Sequence, residues 1–154
     1  MTKAWPPSHF AALGSRLSAE LGARVVVAFG PGQGDLAESV RAGSGPGAAL
    51  LPLAGLRELA AFLEACDLLV TNDSGPKHLA VAVGTPTLTL FGPTSADTWH
   101  VPGDPRHVAL RTGIACSPCD LTACPTQNEC LRDLSPDVAF RAARALLADL
   151  GNGG

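Results

Sequence analysis

The spacing of apolar residues changes period repeatedly along this chain. Phe10, Ala11, Leu13, Leu17 and Leu21 recur at helical spacing behind Pro6-Pro7-Ser8 and ahead of Gly22. That predicts a helix with one apolar stripe. Val25 to Phe29 is an almost uninterrupted apolar run, which predicts a strand buried on both faces. Asp35 is placed to cap a short helix through Arg41, and Ala48 to Leu51 reads as a weak strand. Leu56, Leu59, Ala60 and Leu63 return to helical spacing. Strands follow at Leu68 to Thr71, Thr87 to Phe91 and Val108 to Arg111. Between the first two lies a helix from His78 to Val83 that Gly84 stops. Ser135-Pro136-Asp137 opens a final helix through Leu150, closed by Gly151. Residues 151–154 are expected to be a flexible tail.

Strands that alternate with helices predict an α/β fold, a Rossmann-like and mostly parallel sheet with helices on both faces. Such sheets bind ligands beyond the carboxyl ends of their strands. Three glycine-bearing loops are expected on that rim: Gly30 to Gly34, Asn72 to Lys77 and Gly92 to Thr94. The middle one is the richest. Asp73 and Ser74 are good N-cap residues, Gly75 admits a ligand close to the backbone, and Pro76 suits a first helical turn. A helix start of this kind offers free N–H groups and a positive dipole end to phosphate. With Lys77 and His78 beside it, the junction suits a sugar nucleotide. The plain alternative is a capped helix with no ligand. The company of two more glycine loops favours the ligand.

One domain is the natural reading of 154 residues that are 46% hydrophobic. The net charge of −3 implies no basic face for nucleic acid. No apolar run is long enough to span a bilayer, and the N-terminus lacks the apolar core of a signal peptide. A cytoplasmic protein is the default, with peripheral attachment to a membrane surface left open.

Cys116, Cys119, Cys124 and Cys130 have the spacing C-x2-C-x4-C-x5-C. Four such ligands suit a closed, structural zinc site, or an iron–sulfur cluster. The rivals are free thiols and two disulfides, and the disulfides fit a cytosolic protein poorly. Cys66 reads as a small buried apolar residue.

The run Val70–Ala80 contains D-S-G-P-x-H-L-A. Together with Gly84-Thr85-Pro86 and Phe91-Gly92-Pro93-Thr94, it resembles the heptosyltransferases of glycosyltransferase family nine. Lys3-Ala4-Trp5-Pro6, the cysteine block and Ser135-Pro136-Asp137-Val138 are similar to further family segments. The resemblance covers essentially the whole chain. It implies the GT-B architecture of two Rossmann-like halves, of which residues 1–150 correspond to the C-terminal, donor-binding half. The N-terminal half, with the acceptor site and the proposed catalytic base, is expected to lie outside this chain, as is a strand before Lys3. The chain is then an excised domain or a fragment, inactive alone.

The resemblance further implies an inverting enzyme. It transfers a heptose from a nucleoside diphosphate, ADP-heptose, to lipopolysaccharide core at the inner face of the inner membrane. No cofactor is required for that catalysis. Lys3 corresponds to a family lysine that reaches the phosphates, Asp73 to an aspartate near donor sugar and phosphate, and His78 to a histidine on the first helical turn. Ser74 and Gly75 present backbone N–H groups. Lys77 stands where members often carry methionine, and either adds phosphate affinity or points to solvent. Gln33 replaces a glutamate that hydrogen-bonds ribose in several members, and it keeps an acceptor without the charge. Thr94 contacts donor or the missing half. For His78 the alternative is a packed structural histidine. Trp99, His100 and His107 read as loop packing and surface. The rival function is a non-catalytic nucleotide or sugar-phosphate binding module with a metal-stapled loop.

Overall fold

The computed structural model describes residues 2–151. Most of the expected tail, residues 152–154, lies outside that range.

Helix α1 (Pro7–Leu21) starts on the Pro6-Pro7 pair, whose fixed φ suits a first turn. It ends where Gly22 turns left-handed at φ 66° and donates to the carbonyl of Ser18, while Ala23 donates to Leu17. Those two bonds satisfy carbonyls that the helix end leaves free. Strand β1 (Val26–Val27) pairs in parallel with β2 (Ala49–Leu50) and with no other strand among the described residues. Both strands are shorter than the apolar runs predict. Burial on both faces does not hold for β1, since Val26 is 38% exposed. With only one neighbour and two paired residues, part of its surface is left uncovered.

Between them, α2 (Gly34–Gly43) packs closely on α1. A Cβ on Gly43 would stand 2.7 Å from Ala11 Cβ, so the approach requires glycine. Asp35 lies inside the first turn of α2, and Gln33 holds the cap position instead. Helix α3 (Leu56–Glu64) leads to the second parallel ladder.

That ladder is β3 (Leu69–Asn72), β4 (Thr87–Leu90) and β5 (His107–Leu110), with β4 in the centre. Every strand pairing among the described residues is parallel, as the alternation of elements predicts. All four residues of β4 are buried. Successive strand residues face opposite ways, so β4 is covered on both faces. Helix α4 (Gly75–Ala82) packs on β3 and β4, and α7 (Pro136–Gly151) packs on β4, β5 and α1. Gly151 belongs to that last helix rather than to the tail.

The core gathers Trp5, Leu13, Leu90, Leu131, Leu134 and Phe140. Trp5 is 1% exposed, and its indole N–H donates to the Leu134 carbonyl at 2.8 Å. Two short helices escape the apolar pattern: α5 (Ala96–Trp99) and α6 (Glu129–Arg132). Each is a single turn, too brief to show a period.

Candidate functional site

Strand β3 ends at Asn72, which is in register with Leu90 of β4. The Asp73-Ser74 turn and the Phe91–Thr94 loop therefore leave the same end of two adjacent parallel strands. The Lys3 segment is fastened to that end. The Trp5 backbone N–H donates to Asn72 Oδ1 at 2.9 Å, and the Asn128 side chain donates to the Ala4 carbonyl.

Asp73 is the hub. It is buried, and Lys77 Nζ donates to its Oδ1 at 2.6 Å. Lys3 Nζ stands 3.9 Å from its other oxygen, with a side chain that is half exposed. The Thr94 hydroxyl leans on the same carboxylate without reaching full hydrogen-bond geometry. Thr94 Oγ1 is buried and otherwise unpartnered. Burial pushes the Asp73 carboxyl up. The Lys77 hydrogen bond, the Thr94 hydroxyl and the charges of Lys77 and Lys3 outweigh it and hold the group below the ordinary 3.8.

Lys77 does not point to solvent. It is 1% exposed, its ammonium also donates to the Trp99 carbonyl at 2.7 Å, and it lies 5.2 Å from the centre of the Phe91 ring. Its charge is satisfied within the protein. The sequence reading missed this pair, and the spacing of four residues between Asp73 and Lys77 is the signal that could have found it.

Ser74 holds the N-cap position of α4, but its hydroxyl turns back to the Asn72 carbonyl at 3.1 Å. No side chain caps this helix. The N–H end of its first turn is left open beside Gly75, which is exposed. His78 is exposed as well, edge-on to Trp99 with ring centres 6.2 Å apart. His78 is therefore not a packed structural histidine, and Trp99 joins the rim through both its carbonyl and its ring. Lys3, Asp73, Ser74, Gly75, Lys77, His78 and Thr94 come together at one place.

The sequence matches the family described as glycosyltransferase family 9 (heptosyltransferase) over residues 1–129. The chain belongs to that family. It is 33% identical over 161 aligned positions to lipopolysaccharide heptosyltransferase 2 of Salmonella typhimurium, covering 97% of this chain and 44% of that protein. Its fold is similar to the structure of E. coli ADP-heptose lps heptosyltransferase II, with a TM-score of 0.79 and 25% identity over 97% of this chain and 44% of the other. It is also similar in fold to E. coli heptosyltransferase WaaC with ADP, with a TM-score of 0.74 and 22% identity over 94% of this chain and 40% of the other. This chain spans less than half the length of each of these heptosyltransferases.

Two features of this heptosyltransferase-family domain stand apart from the cluster. Gln33 is exposed at the end of β1, in the other ladder, and its Oε1 accepts from Gly30 N–H at 3.0 Å. That bond closes its own loop and leaves the side-chain amide as a donor. Among the described residues, no hydrogen bond or ion pair links Gln33 to the Asp73 group. A cavity of about 400 Å³ beside α5 is lined by Ala96, Asp97, His100, Pro102, Ala109 and Arg111. None of the Asp73 group lines it, so size alone does not mark the rim.

His107 is not a surface residue. It begins β5, is 4% exposed, and places Nδ1 3.0 Å from Thr87 Oγ1. Nor do all four cysteines of the block lie in loop. Cys130 sits in α6 as part of the buried core, and Cys66 is only half-buried. Among the described residues, no group of three or more His, Cys, Asp or Glu side chains stands ready to hold a metal ion, and all five cysteines are free thiols. No described helix is long and apolar enough to cross a membrane.

Proposed function

We propose that this chain is the donor-binding domain of an inverting glycosyltransferase, which transfers a heptose from ADP-heptose to lipopolysaccharide core. One observation carries the proposal. An uncapped helix N-terminus, a half-exposed lysine and a buried unpartnered hydroxyl all surround Asp73 at the ends of two parallel strands. That is a cradle for an anion beside a group able to accept hydrogen bonds from a sugar. The family membership and the ADP held by WaaC support the same reading.

In such a transfer the acceptor hydroxyl attacks the anomeric carbon from the face opposite the diphosphate. The bond from that carbon to the phosphate oxygen breaks, and ADP departs with the electron pair. The backbone N–H groups of Ser74 and Gly75, the dipole of α4 and the Lys3 ammonium stabilise the growing negative charge without a metal. His78, exposed beside the start of α4, donates to the same phosphates in this reading, and the Thr94 hydroxyl contacts the donor through its place beside Asp73. Lys77 acts differently, by neutralising Asp73 and fixing its orientation. Gln33 offers its amide to the nucleoside from the neighbouring ladder. The acceptor and the base that deprotonates it belong to a partner half outside this chain, on the cytoplasmic side of the membrane.

Titration calorimetry with ADP, UDP and GDP tests the claim. Binding of ADP, strengthened by the heptose of ADP-heptose, is the expected result. Failure of every diphosphate to bind overturns it.

A further inference from the structure

The chain from Arg111 to Asn128 forms no helix or strand. So long an irregular segment inside a compact domain needs something other than a backbone ladder to hold it. Part of the answer lies in bonds to the loop that follows β4. The backbone N–H groups of Cys119 and Asp120 both donate to the Pro93 carbonyl at 2.8 Å, and Ser117 Oγ donates to the Gly92 carbonyl at 2.6 Å. These bonds fasten one side of the segment and leave its middle, around Cys124, without such an anchor.

The three cysteines of the segment converge there with Cys130 of α6. Cys116, Cys119, Cys124 and Cys130 all line one cavity of about 20 Å³, with Pro93 at its wall. That is room for about one water-sized sphere, enough for one ion. No disulfide joins any of them. Cys130 is the fixed member, buried in α6 against the core. Cys116 and Cys119 are exposed on irregular backbone, so their side chains are free to turn inward.

We propose that Cys116, Cys119, Cys124 and Cys130 bind a single zinc ion that closes this segment onto the Gly92-Pro93 loop. Four thiolates make a closed tetrahedral shell, which is a structural site with no position open for chemistry. Binding releases the thiol protons and draws the four sulfurs to about 2.3 Å from the metal. The proposal stands apart from the donor reading, because the cavity contains none of the Asp73 group.

Metal analysis of the chain, purified under reducing conditions from zinc-supplemented growth, tests the site. One zinc per chain is expected, and cobalt(II) substitution should give the intense thiolate-to-cobalt absorption of a tetrahedral sulfur site. Cys119→Ser, at an exposed position that keeps the fold, should lower bound zinc by at least about tenfold. Cys66→Ser should retain it all. Three results overturn the proposal: a folded chain with neither zinc nor cobalt bound, two disulfides among the four cysteines, or an iron–sulfur chromophore.

Discussion

Lys77 and Asp73, four residues apart across the start of α4, form a buried ion pair at 2.6 Å. Lys77 is 1% exposed and Asp73 is 7% exposed, so neither charge is shared with bulk water. Removal of one partner from such a pair leaves the other uncompensated, at about 3–5 kcal/mol. Lys77→Met should therefore lower the urea-unfolding free energy by about that amount, although methionine fills much of the same space. The double change Lys77→Met with Asp73→Asn should recover part of the loss, because no bare charge then remains. A single mutant as stable as the parent chain would show that the pair is not formed in solution.

Lys3 touches the same carboxylate from the solvent side, at 3.9 Å and 51% exposed. An exposed pair at that distance contributes about 1 kcal/mol or less to stability. Lys3→Ala should leave the melting temperature nearly unchanged. It should weaken ADP binding by about tenfold or more, the loss expected for one charge-assisted hydrogen bond. Calorimetry on Lys3→Ala and Lys3→Arg separates charge from geometry. Equal ADP affinity in all three proteins would remove Lys3 from the donor site.

The contrast between these two lysines marks the limit of the sequence. Parallel strands and the glycine at position 22 follow from local rules, and the structure bears them out, whereas the side-chain cap that Asp73 and Ser74 suggest for α4 is not made. The fate of Lys77 does not follow from local rules. Its burial depends on the Trp99 carbonyl and the Phe91 ring, which reach it from other elements. The i, i+4 spacing is compatible with a pair to Asp73, but spacing cannot say whether a pair forms, or whether it is wet or dry. Val26 departs in the other direction. An apolar run predicts burial only if strands flank it, and the number of strand neighbours is a tertiary fact. The pairing of Trp5 with Asn72 joins positions 67 residues apart and left no mark in either local pattern.

Stability should depend on pH through His107. Burial lowers its pKa below the ordinary 6.5. The Asp104 charge opposes that shift, and the charges of Arg106 and His100 add to it. The fold thus favours the neutral ring beside Thr87. A group depressed in this way contributes stability that is complete above its unfolded value, and the contribution is lost as pH falls through the lowered value. The melting temperature should decline as pH drops below about 6.5, and His107→Gln should flatten that slope. A second decline, from Asp73, belongs below its ordinary 3.8 because its carboxyl is also depressed. It should persist in His107→Gln. One common transition unaffected by the substitution would rule out His107 as its source.

Two glycines near the rim should respond differently to an added methyl group. At Gly92 a Cβ would stand 2.6 Å from Leu131 Cγ and 2.7 Å from its Cδ1. Leu131 is fully buried against the core, so it has no room to swing aside. Gly92→Ala should cost about 1–3 kcal/mol in unfolding free energy through overpacking. At Gly75 a Cβ would meet nothing within 4 Å, and the backbone is not left-handed. Only the ring of Pro76, the next residue, bears on a Cβ there, because proline disfavours a helical residue with a Cβ before it. The better helix propensity of alanine and that clash oppose each other, so stability should change by less than about 1 kcal/mol. If a phosphate seats on that N–H group, the methyl stands in its path, and Gly75→Ala should weaken ADP binding by about tenfold or more while the melting temperature holds. Full ADP affinity in Gly75→Ala would move the phosphate site away from the start of α4.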